Sequence, residues 1–316
     1  MADEQVAFGS VDDRGHLVTE QINPASVNLD ELSSFELVDL FNKEDLRTLE
    51  AIANSRESLG KTVELAAEAL SKGGRLFYVG AGTSGRLGVL DASECPPTFC
   101  TDPEMVQGII AGGRDALVKS SESLEDRTSD GAAAINQRNI SSQDIVVGIT
   151  AGGTTPYVHG AVLCAQERGA KTAFIACVPE SQVAPPGKVD TDIRLIVGPE
   201  LLTGSTRLKS GTATKMALNI ISTGSMVLLG KVYGNQMVDV SVTNAKLRDR
   251  AIRIISHIAH ISRDNAQSLL ELAGNQVKLA LAMYLTNLSA NSAQDLLNKS
   301  SGNLRKSIEL YESENI

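Results

Sequence analysis

The chain has 316 residues, 42% of them hydrophobic, and a formal net charge of −9 at pH 7. This length allows one large domain, or a large and a small one, with a buried core. The negative net charge argues against nucleic acids and anionic membranes as partners, because both bind clustered lysine and arginine. The 3% share of aromatic residues leaves few side chains on which single-stranded bases could stack. An anionic ligand would therefore need a locally built site.

The cysteines and histidines do not form a zinc framework. The four cysteines include no C-x-x-C pair. Cys164 and Cys177 lie in apolar runs, which is typical of small core residues in a reducing compartment. The first residues, MADE, do not resemble a secretory leader, and no apolar run is long enough for a membrane span. We therefore expect a cytoplasmic protein with no metal, no other cofactor and no membrane partner.

Short β-rich runs alternate with longer helical ones in the first three quarters of the chain. Helical spacing begins at residues 28–41, and a second helix is predicted from about residue 45 to 71. The predicted strands and helices that follow are 75–80, 84–93, 105–111, 115–137, 144–151, 156–168, 171–178, 193–197 and 206–231. The strands are apolar in succession, which is typical of parallel strands covered by helices on both faces. The pattern predicts an α/β fold with a doubly wound, parallel, five-stranded sheet.

The β character disappears after about residue 245. Four further helices are predicted at 247–260, 263–273, 275–286 and 292–312, with Ser262, Asn291 and Ser292 as cap or turn residues. We therefore expect an α/β domain with N-terminal helices over residues 1–245 and a small helical subdomain over residues 246–316.

Three loops at predicted strand ends are rich in glycine, serine and threonine. They are residues 80–86 (GAGTSGR), 150–155 (TAGGTT) and 198–207 (GPELLTGSTR). Ligands of such sheets collect at the carboxyl ends of the strands, where glycines let backbone N–H groups approach a phosphate and hydroxyls add donors. One such loop alone is as well explained by turn and cap chemistry, but three together favour an anion site.

The first loop has the G-x-G-x-x-G spacing of dinucleotide-binding proteins. That function needs an acidic residue at the end of the next strand to bind a ribose hydroxyl, and residues 109–113 read IIAGG. The G-K-[ST] ending of a P-loop is absent too. The pattern therefore favours a phosphate held by hydroxyls from several loops, without a nucleotide.

Two groups of carboxylates are candidates for proton transfer. Glu94 precedes Pro96 and Pro97, so we expect it at a helix end, where a carboxylate opposes the helix dipole and suits a general acid. A solvated surface glutamate is the alternative interpretation. Glu122 and Glu125 share one face of the predicted helix after the second strand, an arrangement that is also typical of a solvated surface. His257 and His260 are interpreted as structural, and Arg207 pairs with either an anionic substrate or surface acids.

Longer motifs bring a family resemblance. Residues 80–88 with 91–98, and residues 204–207 with Lys209, 211–213 and Lys215, strongly resemble the N-acetylmuramic acid 6-phosphate etherases, members of the sugar isomerase (SIS) family related to the glucokinase regulatory protein. Further matches are 19–20 with 23–24, 106–113, and 234–240. The resemblance covers nearly the whole chain.

The resemblance implies a metal-independent carbon–oxygen lyase that removes D-lactate from carbon 3 of a phosphorylated amino sugar. By match, Glu94 is the acid that assists lactate departure and Glu125 the base at carbon 2. The residues expected to bind the substrate are Gly82, Thr83, Ser84, Thr150, Gly152, Thr155, Ser205, Thr206 and Lys209. A sugar-phosphate-sensing regulator and an aldose–ketose isomerase remain alternatives, since both share the fold.

The second loop departs from the family. Where relatives usually read Ser-Gly-Arg, this chain has Gly152-Gly153-Thr154, so a hydroxyl and a guanidinium are missing. Backbone N–H groups or Lys209 are the candidates to replace them.

The helix after the first strand separates two of the predicted site residues. A straight helix rises about 1.5 Å per residue and would put Glu94 roughly 15 Å from the first loop, which exceeds a hexose phosphate. Either this helix breaks near Gly88 or Glu94 serves a second subunit, and we expect a homodimer with sites near the subunit interface.

Overall fold

A five-stranded parallel sheet forms the centre of the protein, with strand order β2-β1-β3-β4-β5. The structure is a computed structural model that describes residues 13–119 and 124–315. The strands are β1 (Leu76–Gly80), β2 (Val106–Ile110), β3 (Ile145–Ile149), β4 (Lys171–Ala176) and β5 (Thr191–Arg194). All five predicted strands are confirmed. The last one ends earlier than predicted because it is an edge strand paired only with β4, which stops at Ala176.

Helices cover both faces of the sheet. They are α1 (Ser34–Asn54), α2 (Arg56–Ser71), α3 (Gly82–Phe99), α4 (Thr128–Gln137), α5 (Pro156–Glu167) and α6 (Lys209–Leu228). Alternate β1 residues face opposite layers of helices. Tyr78 belongs to a hydrophobic cluster with residues of α2, α3 and α6, whereas Phe77 belongs to a second cluster with residues of α5. Every β1 residue is buried, as expected for parallel strands between two helical layers. The doubly wound α/β prediction is confirmed.

The N-terminal helices divide differently from the prediction. α1 runs through the predicted gap between residues 41 and 45, and the break falls at Ser55, inside the predicted second helix. A capping box of Ser33 and Glu36 begins α1. Ser55 is buried and its Oγ donates to the carbonyl of Arg194 (2.8 Å), which ties the break to the end of β5.

Two helix boundaries around the predicted site are also different. α3 continues through Pro96 and Pro97 to Phe99, and Cys100 ends it in a left-handed conformation (φ 50°) with its N–H donating to Pro96 (2.9 Å). The predicted helix 115–137 is replaced by a 3-10 turn, Gly113–Leu117, and by α4, which begins only at Thr128. Glu122 lies outside the described residues.

The C-terminal part is helical, as predicted, and has its own buried cluster. Its helices are α7 (Ala245–Ala259), α8 (Arg263–Leu272), α9 (Val277–Thr286), α10 (Ala290–Lys299) and α11 (Leu304–Glu314), preceded by a short hairpin of β6 (Val232–Tyr233) and β7 (Gln236–Met237). That cluster includes Val238 and Val240, and the boundary at residue 245 stays a prediction. No helix within 13–119 or 124–315 has the length and apolar character of a membrane span.

Two details of the C-terminal helices correct the prediction. The predicted helix 292–312 is two helices, because the chain turns at Gly302 (φ 74°). Ser262 caps α8 as predicted, whereas α10 is capped by Ser289 rather than by Asn291 or Ser292.

Candidate functional site

The strand order places two of the glycine-rich loops side by side. β1 and β3 are neighbours, and the chain leaves them toward β2 on one side and β4 on the other. Ligands of open α/β sheets bind at such a switch point, outside the carboxyl ends of the strands. The loops after β1 and β3 therefore border the expected crevice.

Close packing of α3 on β1 fixes the first loop. A Cβ on Gly85 would lie 2.7 Å from the carbonyl oxygen of Gly80 and 2.6 Å from Ile110, so only glycine permits this approach. Gly82 has a left-handed backbone (φ 51°) and begins the helix. Thr83 and Ser84 consequently lie in the first turn of α3, where N–H groups are unpaired along the helix and favour anions.

A cavity of about 210 Å³ lies at this edge of the sheet. Its lining residues come from all three loops, α6 and the N-terminal segment: Arg14, Leu17, Glu20, Thr83, Ser84, Leu87, Glu125, Thr150, Ala151, Gly152, Thr154, Thr155, Thr206, Ser210, Gly211 and Thr214. Seven predicted site residues are among them, and Gly82, Ser205, Lys209 and Glu94 are not. The surface is dominated by hydroxyls and carries two carboxylates, a composition that suits a hydrogen-bonding, phosphorylated ligand.

The loop after β3 is held by its own side chains. Thr150 and Thr155 share a hydrogen bond between their hydroxyls (2.9 Å). The Nε2 of His159 donates to the carbonyl of Gly153 (2.6 Å), and Gly153 has a positive φ of 78°. Thr155 precedes Pro156 at the start of α5, and its hydroxyl does not cap that helix. Both threonines line the cavity.

Glu125 reaches the cavity from a turn, not from a helix as predicted. Its carbonyl accepts the N–H of Tyr157 (2.9 Å), which fixes the turn against the first residues of α5. Since α4 begins only at Thr128, the predicted shared helix face of Glu122 and Glu125 is wrong for Glu125. The side chain is partly buried and lines the cavity beside the loop after β3.

Lys209 lies in a buried ion pair instead of facing the cavity. Its Nζ is 2.6 Å from Glu44 Oε2, and the Lys209 side chain is only 1% exposed. Asn23 also donates to Glu44 (2.8 Å). Burial raises the pKa of Glu44, but the hydrogen bonds from Lys209 and Asn23 outweigh it and lower that pKa below 4.5. Lys209 therefore does not replace the guanidinium missing from the second loop.

The start of α6 is capped by a buried carboxylate. Glu200 is fully buried and accepts the N–H groups of Lys209 (3.0 Å) and Ser210 (2.9 Å). Ser210 is among the lining residues, and its hydroxyl is buried and has no hydrogen-bond partner in the described parts of the chain. A buried hydroxyl without a partner is costly, and this one lies beside the cavity lining.

Sequence reasoning missed the N-terminal contribution to the cavity. Leu17 is buried in the core, and Arg14 and Glu20 on either side of it line the cavity. The one sequence signal for this segment was the match of residues 19–20 to the etherase family. That match supported the resemblance, but no binding role was assigned to it. Ser210 and Thr214 were missed as well, although they flank the matching residues 211–213 of the third motif.

Glu94 lies on the exposed surface of α3, away from the cavity lining. The helix is continuous through Gly88, where a Cβ would lie 2.8 Å from the side chain of Tyr78. The alternative in which α3 breaks near Gly88 is therefore wrong. The prediction that Glu94 sits at the helix end is also wrong, since α3 continues for a further turn to Phe99.

Comparisons with known proteins identify relatives over the full length. Residues 58–166 match the N-terminal SIS domain of the glucokinase regulatory protein, and residues 234–278 match its C-terminal lid domain. An N-acetylmuramic acid 6-phosphate etherase from Microcystis aeruginosa is 66% identical over 298 residues, 94% of this chain and 97% of the relative. The etherase from Rippkaea orientalis is 64% identical over 303 residues, 96% and 98% of the two chains.

Among solved structures, a phosphoheptose isomerase from Neisseria gonorrhoeae aligns with a TM-score of 0.45 at 17% identity, covering 63% of this chain and 98% of that one.

Proposed function

Because the chain belongs to the family of N-acetylmuramic acid 6-phosphate etherases, we propose that it cleaves the D-lactyl ether of N-acetylmuramic acid 6-phosphate. The products are N-acetylglucosamine 6-phosphate and D-lactate, so the enzyme is a carbon–oxygen lyase of amino-sugar catabolism and peptidoglycan recycling. The observation that carries this proposal is the 66% identity over 94% of the chain. The hydroxyl-rich cavity at the switch point of the sheet supports it.

The chemistry needs two proton-transfer groups and no metal. Ring opening places an aldehyde at carbon 1, which acidifies the proton on carbon 2. A base removes that proton, the carbon 3–oxygen bond breaks as an acid protonates the lactate oxygen, and a double bond forms between carbons 2 and 3. Water then adds its hydroxyl to carbon 3 and a proton to carbon 2, which restores the sugar.

We assign the base to Glu125 and the acid to Glu94. Glu125 lines the cavity beside Thr150 and Thr155, where hydroxyls and the starts of α3 and α5 suit the 6-phosphate. Glu94 is about 15 Å from Ser84 along a continuous helix. We therefore propose a homodimer in which Glu94 completes the cavity of the partner subunit.

The surface of the chain supports such an association. Large apolar side chains are exposed on α1, α3 and α6: Phe35 (83%), Val38 (66%), Leu90 (48%), Val227 (45%) and Leu228 (57%). Exposed apolar side chains of this size are available to an interface between subunits. We also propose that the reaction takes place in the cytoplasm, whose reducing conditions suit the four free thiols.

Incubation with N-acetylmuramic acid 6-phosphate in deuterated water tests the proposed reaction. We expect release of D-lactate and one deuterium at carbon 2 of the product, at a rate that a chelator leaves unchanged. Binding without lactate release would contradict the proposal in favour of a sugar-phosphate sensor, and deuterium exchange with aldose–ketose conversion would favour an isomerase.

A further inference from the structure

The charges of the cavity are unbalanced for an anionic ligand. Two carboxylates, Glu20 and Glu125, line it, and Arg14 is the one cationic side chain among the described lining residues. A sugar phosphate brings a charge of about −1.5 to −2 at neutral pH, and the lactyl group of the proposed substrate adds a carboxylate. Hydroxyls and helix starts supply donors but no full positive charge.

Two other basic residues near the loops are engaged elsewhere. Lys209 is paired with Glu44. The guanidinium of Arg86 donates to the carbonyls of Leu117 (3.2 Å) and Lys119 (3.0 Å). These two cations are therefore held by the protein itself. Arg207 in the third loop is exposed but does not line the cavity, so Arg14 is the cation placed to meet a ligand's charge there.

The segment that carries Arg14 is anchored at the cavity. The carbonyl of Arg14 accepts the N–H of Leu17 (2.9 Å), whose side chain is only 1% exposed. The N–H of Val18 donates to the Gln182 side chain (3.1 Å), which in turn donates to the carbonyl of His16 (3.0 Å). The turn is thus fixed to the loop after β4, while the Arg14 side chain itself is exposed and forms no ion pair with any residue in 13–119 or 124–315.

The same segment lies against the loop that lacks a guanidinium. The Thr19 hydroxyl would be 3.8 Å from a Cβ placed on Gly152. Gly152 and Thr154 line the cavity together with Arg14. A cation supplied by the N-terminal segment can therefore serve the part of the cavity where the loop itself offers none.

We propose that Arg14 is a substrate-binding residue whose guanidinium binds an anionic group of the phosphorylated amino sugar, an assignment that rests on the proposed function. A guanidinium matches either a phosphate or a carboxylate through two parallel hydrogen bonds. The substrate offers both anions, and two probes separate them: N-acetylglucosamine 6-phosphate carries only the phosphate, and N-acetylmuramic acid carries only the carboxylate.

Calorimetric titration of the full chain with each probe tests the assignment. We expect Arg14→Ala to weaken one of the two complexes by about ten-fold or more, and the weakened complex identifies the anion. Arg14→Lys should recover part of the loss, since it keeps the charge. Arg56→Ala is the matched control, because Arg56 is exposed in the first turn of α2 and does not line the cavity.

Kinetics separate a binding role from a structural one. With N-acetylmuramic acid 6-phosphate, Arg14→Ala should raise KM by a similar factor while the melting temperature stays at the wild-type value. Unchanged affinity of Arg14→Ala for both probes would overturn the assignment and leave the proposed function intact. Wild-type protein that binds neither probe and releases no lactate would instead contradict the proposed function and the assignment with it.

Discussion

The two ends of α3 have different surroundings although one uninterrupted motif encodes them. At its start, Gly85 packs against Gly80, and Ser84 faces the cavity. A turn before its end, Glu94 is exposed, and Leu90 on the same face is 48% exposed. Adjacent positions in a motif therefore need not belong to the same site. A rigid helix can carry one end of a motif into its own cavity and present the other end to a neighbour.

The largest expected effect separates the two ends by complementation. Glu94→Gln and Glu125→Gln should each lower kcat by about 10²- to 10⁴-fold, because each removes a proton-transfer group. If Glu94 acts in the partner's cavity, refolding an equal mixture of the two inactive chains makes half of the dimers mixed, each with one intact site of two. Lactate release should then recover to about a quarter of the wild-type rate.

A stability control and a contradicting outcome complete that experiment. Both variants should melt with the wild type, since Glu94 is exposed and Glu125 lies in a turn. A mixture as inactive as its components would show that each site uses only its own chain's carboxylates, and the comparison between the two ends of α3 would fail.

The next effect concerns the start of α6, which lines the same cavity as the start of α3. Lys209→Met should lower the free energy of unfolding by about 3 kcal/mol, because it leaves the buried Glu44 with only the exposed Arg47, 3.6 Å away, as its cation. Lys72→Met is the matched control: its ion pair with Glu68 has the same 2.6 Å separation but is exposed, so we expect little change. Urea denaturation measures both, and equal losses would contradict a special role for the buried pair.

The same ion pair predicts a pH dependence. The pKa of Glu44 is lowered below 4.5, so the folded state binds its proton less readily than the unfolded state. This group therefore contributes stability above pH 4.5 that is lost as the pH falls through the folded pKa. Wild-type stability should fall more steeply below pH 4.5 than that of Lys209→Met, and parallel pH profiles would argue against the pair.

A smaller effect tests the packed end of α3 alone. Gly85→Ala should cost about 1–3 kcal/mol of unfolding free energy, because its Cβ meets the backbone of Gly80. Gly60→Ala in α2 is the control, since a Cβ there meets nothing within 4 Å. It should gain up to about 1 kcal/mol from helix propensity. Chemical denaturation of the two variants should give opposite signs, and the same sign would contradict the packing argument.

The smallest effect concerns the middle of α3. Burial raises the pKa of Asp91 above 3.8, although Ser222 donates to it (3.1 Å). The folded state therefore binds this proton more readily, and ionisation at higher pH lowers the free energy of unfolding. Asp91→Asn should remove this pH dependence and raise stability at pH 7 by less than Gly85→Ala lowers it. A clearly less stable variant in thermal denaturation at pH 7 would refute the argument.

The sheet was more predictable than the cavity for a physical reason. Buried parallel strands need apolar residues in succession, so β1 to β4 could be located from composition alone. Helix ends depend on single caps and turns, and the break at Ser55 relies on a hydrogen bond to Arg194, a residue far along the chain. Local sequence carries no sign of such a contact.

The candidate site divides in the same way. Loop residues such as Ser84 and Thr155 could be named because glycine and hydroxyl patterns mark strand ends. Arg14 could not, since it comes from a segment that reaches the cavity only through tertiary contacts of Leu17 and Val18. Lys209 fits an anion-binding motif by its position, and only the fold reveals that Glu44 holds its ammonium group.

Glu200 makes the N-terminus of α6 different from the N-termini of α3 and α5. Its carboxylate already accepts hydrogen bonds from the first N–H groups of α6. Its negative charge therefore neutralises the positive end of that helix. If the cavity binds a phosphate, we expect its backbone N–H donors to come from α3 and α5 rather than from α6. We therefore expect α6 to contact neutral sugar groups rather than the phosphate, so that the two ends of an elongated ligand bind to different parts of the cavity.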